Sequence, residues 1–130
     1  METVRINPWK WQDAFGFSQG WRLERPQALV IASGQTGVDA DGAVVHPDDF
    51  EAETRLLFEN MRMVLEGAGA TFADVFKLTV FLLDMDAQNA AFNRVKPEFF
   101  GDHAPAQTTV EVSALAVPGL SLEVEAMAVV

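Results

Sequence analysis

Cysteine is absent from this chain. That excludes a disulfide framework and a thiol nucleophile, and it would leave any zinc site to histidine and carboxylates alone. Positive charge is scarce: nine Lys and Arg stand against 19 Asp and Glu, for a net charge of −10. The nine are scattered (Arg5, Lys10, Arg22, Arg25, Arg55, Arg62, Lys77, Arg94, Lys96) and no two adjoin. A nucleic-acid partner, which draws much of its affinity from cations on phosphates, is therefore not expected. The acidity reads as a solubility feature that also disfavours anionic partners. No uncharged apolar run approaches the ~20 residues of a membrane span, and "METVRINPWKWQ" lacks the apolar core of a signal peptide. These absences predict a cytoplasmic protein with no membrane partner. Repeats, low-complexity tracts and linkers are also missing, so the expectation is one domain over residues 1–130.

What is present is apolar and periodic. Hydrophobic residues make up 49% of the chain, enough to exclude disorder. One helix is predicted after "HPDD", with Asp48 or Asp49 as cap and an apolar side of Phe50, Leu57, Met61, Val64 and Ala68. Gly67 and Gly69 stop it. A second follows "LLDMD", with Ala90, Ala91, Phe92, Val95, Phe99 and Phe100 inward and a kink or early end at Pro97. Strands are predicted at Thr3–Ile6, Gly20–Leu23, Leu29–Ser33, Val75–Leu83, Thr108–Val112 and Leu120–Val129. The order β-β-β-α-β-α-β-β implies an α+β fold with a mixed sheet. Two helices cover only one sheet face, so self-association over the other is expected.

Several local patterns bear on chemistry. "DADG" resembles a calcium loop but lacks its third oxygen ligand and terminal glutamate, which leaves a hairpin turn. His46 and His103 lack ligand spacing, so no metal site is expected. Ser18 and Ser33 have no His–carboxylate relay. Trp9 and Trp11, two apart on one strand face, would roof a cleft or pack on a neighbouring subunit.

Four segments in order resemble the RidA/YjgF family of small trimeric imine and enamine deaminases: "FGFSQG", "VIASGQTGVDADG", "ETRLLFENMRMVLEGAGATFADVFKLTVFLLDM" and "NRVKPEFFGDHAPAQTTVEVSALAVPGLSLEVEAMAV". The resemblance implies a chorismate-mutase-like (YjgF/L-PSP-like) fold: a six-stranded mixed sheet, two helices on one face, and three copies closing a trimeric barrel. It also implies small-molecule clefts between subunits and no cofactor. In the family motif Pro-Ala-Arg-Ser/Thr-Thr-Val the arginine grips a substrate carboxylate, whereas "PAQTTV" carries Gln107 there. An amide has donors but no charge, so the ligand is expected to be uncharged or weakly charged. No neighbouring base in "DHAPAQTTVEV" compensates. By the same resemblance Gly34, beside Ser33, offers backbone groups to the ligand, Phe17 forms a ring wall, and Asn93 is a contact or a backbone bridge. Glu123 steers the attacking water, with Glu125 as the alternative. The resemblance implies an imine/enamine hydrolase with altered preference. Two readings remain beside it: a non-catalytic binding module of the same fold, and RNA cleavage, which the charge balance disfavours.

Overall fold

The computed structural model describes residues 1–130. A hairpin of β1 (Glu2–Ile6) and β2 (Gly20–Glu24) opens the chain, with a single helical turn, Trp11–Phe15, in its long connection. Four further strands follow: β3 (Leu29–Gln35), β4 (Val75–Leu82), β5 (Ala106–Glu111) and β6 (Leu122–Val129). They hydrogen-bond in the order β3-β6-β4-β5, antiparallel except for the parallel β4–β5 pair. The six expected strands are present, but the hairpin forms its own ladder. It joins the larger sheet through one bridge, Ser18 to Ala106. Two side-chain bonds to the Ala104 carbonyl, from Ser18 Oγ (2.6 Å) and Trp21 Nε1 (3.0 Å), secure it.

Helix α1 (Phe50–Gly67) starts where the Asp49 carboxylate accepts from Ala52 N, one of the donors a helix start leaves open. It ends with Gly69 at φ +73°, a conformation that glycine adopts without strain. Its buried stripe is Thr54, Leu57, Phe58, Met61 and Leu65. The expected apolar side is thereby rotated, because Val64 and Ala68 lie outside and Phe58 and Leu65 inside. Tertiary packing of Phe58 decides this: its ring meets Phe72, Phe92, Phe99 and Phe100 at 5.0–6.1 Å.

Helix α2 (Met85–Val95) stops one residue short of Pro97, which opens the single turn α3 (Pro97–Phe100). Proline's missing N–H costs nothing at a first helical position, so the predicted break is used as a new start. The break leaves Lys96 as the joint, and its side chain is turned inward.

Both helices pack on one sheet face, against Leu78, Val80, Leu82, Leu122, Val124, Ala126 and Ala128. Strand alternation sends the other set outward: Leu29, Ile31, Val110 and Met127 are exposed apolar side chains there. "DADG" is the predicted turn, with Asp39 Oδ1 accepting from Asp41 N and Ala43 N. Trp9 and Trp11 do not share a strand face. Trp9 lies in a bend and Trp11 starts the helical turn, because Pro8 and the following polar residues interrupt extended pairing. No helix is long and apolar enough to cross a membrane.

Candidate functional site

Where β5 begins, Gln107 sits opposite Leu78 of β4, and Thr109 opposite Val80. Register partners share a face, so both side chains lie on the helix side, at the sheet edge beside α2. Together with Asn89 and Asn93 of α2 they floor a cleft of about 260 Å³ walled by Phe15, Phe17 and Met85. Phe17 is held edge-on by Trp11, with ring centroids 5.7 Å apart. The cleft lining contains amides, one hydroxyl and apolar groups, but no charged side chain.

A charge does stand behind the floor. Lys96, only 3% exposed, reaches from the α2–α3 joint and donates from Nζ to Gln107 Oε1 (2.8 Å) and to the Gly16 carbonyl (2.9 Å). Burial pushes its pKa down from 10.5 to about 8. The expectation from sequence concerned only bases within "DHAPAQTTVEV"; Lys96 lies outside that stretch and comes from a helix end eleven residues away. A signal was available: Lys96 is four residues beyond Phe92 and one beyond Val95, on the stripe that faces inward.

Ser33, Gly34 and Glu123 lie elsewhere. A bulge in β3 between Ala32 and Gln35 sets Ser33 and Gly34 against one residue of β6. A Cβ on Gly34 would sit 1.9 Å from Glu123 Oε1. The glycine is thus required by contact: the Glu123 carboxylate lies over bare backbone. Glu123 is half-buried there and Glu125 is exposed. Both point away from the helices, since Leu122, Val124 and Ala126 between and beside them are buried.

Hence the structure brings Phe17, Asn93 and Gln107 together, and Ser33, Gly34 and Glu123 together, on opposite faces of one sheet. From the register, Gln107 and Glu123 are two strands and three residues apart, roughly 14 Å. One chain cannot apply both to one small molecule. Nor do its acids and histidines gather anywhere as a metal-binding group.

A profile of the family described as Endoribonuclease L-PSP matches residues 12–130. The chain belongs to this family, the RidA/YjgF family. Among L-PSP relatives, a RutC family protein of Pyrococcus horikoshii is 40% identical over 100 residues, covering 77% of this chain and 78% of that one. The 2-iminobutanoate/2-iminopropanoate deaminase of Salmonella typhimurium is 38% identical over 106 residues, covering 78% and 80%. The crystal structure of a Rid family protein of unknown function, YyfB of Yersinia pestis, superposes with a TM-score of 0.90 at 31% identity over the full length of both chains. The L-PSP fold expected from sequence, α+β with two helices on a mixed sheet, is thus the fold of this chain.

Proposed function

We propose that this L-PSP protein is an imine or enamine hydrolase whose clefts close between the subunits of a homotrimer. The observation carrying this reading is the separation of two open half-sites, an amide cleft and a carboxylate on glycine, on opposite faces of one sheet. Cyclic packing of copies over the exposed Leu29, Ile31, Val110 and Met127 surface can set one chain's Gln107 against another's Glu123. A relative at 38% identity is named a deaminase of 2-imino acids, which supports the reaction class.

In the proposed reaction Glu123 takes a proton from a water as its oxygen attacks the C=N carbon, then returns that proton to the nitrogen. Collapse of the resulting carbinolamine expels ammonia and leaves a carbonyl compound. Gln107 and Asn93 hold the substrate, Phe17 walls it, and Ser33 and Gly34 present backbone without obstruction. No step calls for a cofactor. The test is ammonia release from 2-iminobutanoate generated in situ, compared with spontaneous hydrolysis. Acceleration lost in Glu123→Gln supports the proposal. A wild-type trimer with no acceleration leaves instead a binding module of the same fold, the reading that Gln107 in place of arginine favours.

A further inference from the structure

The buried lysine behind the cleft has a consequence for recognition. Lys96 can only donate, so the Gln107 atom it meets is the carbonyl oxygen, and the NH2 edge is turned the other way. That edge donates to Thr109 Oγ1 at 3.0 Å, and its second hydrogen has no partner in the chain. The cleft floor therefore presents an N–H whose amide is polarised by a cation one hydrogen bond away. The cation itself lacks an anion. All five ion pairs of the chain use arginine, and Lys96 is in none. Buried charges are normally paired. Lys96 borders a neighbouring hollow itself, and it reaches the cleft only through Gln107.

We propose that Lys96 is the specificity-determining residue of the cleft, orienting and polarising Gln107 so that its free N–H binds an anionic oxygen, a carboxylate, of the ligand. This rests on the cleft proposed above and replaces the expectation of an uncharged ligand, which followed from Gln107 considered alone. The lysine acts at one remove and does not touch the ligand. It supplies charge without the two-pronged geometry of a guanidinium, so the grip is single and weaker, and depends on protonation. The titratable groups around Lys96 are Arg5 of β1, Asp13 of the helical turn, and Asp102 and His103 after α3. All line a neighbouring hollow that Lys96 also borders, and none is on the cleft lining.

The test uses binding alone, so it stands apart from whether the protein catalyses anything. Wild-type protein is titrated with 2-oxobutanoate and with its neutral isostere 2-oxobutanamide, by calorimetry or ligand-observed NMR, from pH 6.5 to 10. The acid should bind about ten-fold more tightly than the amide at pH 7. Its affinity should fall above about pH 8, where Lys96 loses its proton, while that of the amide stays flat. Lys96→Met should remove both the preference and the pH dependence, Lys96→Arg should restore the preference with a flat profile, and Gln107→Leu should weaken both ligands. Equal affinity for acid and amide in wild type, no measurable binding of the acid, or a pH profile unchanged in folded Lys96→Met would each overturn the proposal. Wild type needs no folding control, so the first two outcomes decide even if a variant fails to fold.

Discussion

The stability of this protein should rise with alkali because of one lysine. Burial holds the Lys96 pKa at about 8 instead of 10.5, a difference worth about 3 kcal/mol against the folded state whenever the amine is charged. The sign follows from proton counts. Below pH 8 both folded and unfolded chains hold the proton, and the whole cost is present. Between 8 and 10.5 the unfolded chain binds more protons than the folded one, so unfolding free energy climbs with pH. Lys96→Met removes the titration but leaves the Gly16 carbonyl and Gln107 Oε1 without their donor, a loss of about 1–3 kcal/mol each. At pH 7 relief and loss oppose each other, and the variant should lie within about 3 kcal/mol of wild type. At pH 10 wild type should have gained a further 2–3 kcal/mol, by about the linkage above, while the variant does not. The assay is urea unfolding of both proteins at pH 7, 8, 9 and 10 and one protein concentration. Contributions common to both proteins cancel in the difference. Parallel curves would refute the reasoning, because Lys96 would then have the same protonation folded and unfolded.

Four further outcomes are expected. Gly34→Ala should leave the fold intact but displace the Glu123 carboxylate, since the new methyl meets it at 1.9 Å, lowering kcat/KM for imine hydrolysis by about a hundred-fold; unchanged activity would separate Glu123 from the chemistry. If clefts are shared in a trimeric ring, inactive Gln107→Leu and Glu123→Gln chains refolded together in equal amounts should regain about a quarter of wild-type sites, and failure to regain activity would place both residues in one subunit's site. Glu53, buried in α1, has its pKa raised by that burial against the opposing Ser121 N–H bond; Glu53→Gln keeps the acceptor, so its urea midpoint should exceed wild type by a few tenths molar, about 1 kcal/mol, at pH 7 and lose the gain in acid, where Glu53 is protonated. At near-physiological salt, filter binding should find no RNA affinity below about 10 μM, given nine dispersed cations.

How far the residues disclosed this protein depends on the range of the forces involved. Local rules narrowed the first cap to Asp48 or Asp49 and located the break before Pro97 and the "DADG" turn, because each is settled within about four residues. The outward sheet face was legible from arithmetic, two helices for a sheet with two apolar sides. The rotation of α1 was not, since the mutual packing of Phe58 with Phe72, Phe92, Phe99 and Phe100 chooses the face, and that cluster spans all three helices and the turn before β4. The resemblance offered Phe17, Asn93, Gln107, Gly34 and Glu123 as candidates by position but could not assign them to faces. That needed the register of β4 with β5 and β6. Lys96 escaped notice because a lysine in a polar-looking helix end is usually solvated, and only the α2–α3 break turns it inward.

The placement of the aromatics gives the molecule an optical division. There is no tyrosine, and the three tryptophans are Trp9, Trp11 and Trp21. Trp9 and Trp11 stand in solvent, Trp11 against the cleft-wall rings of Phe15 and Phe17, and Trp21 packs against Phe76 and His103 while bonding the Ala104 carbonyl. The core rings are all phenylalanine and contribute almost nothing to emission excited at 295 nm. Intrinsic fluorescence of this chain is therefore blind to the core. It reports the N-terminal hairpin and what that touches: a red shift signals Trp21 leaving Phe76 and His103, and quenching without a shift signals a ligand or neighbour arriving beside Trp11.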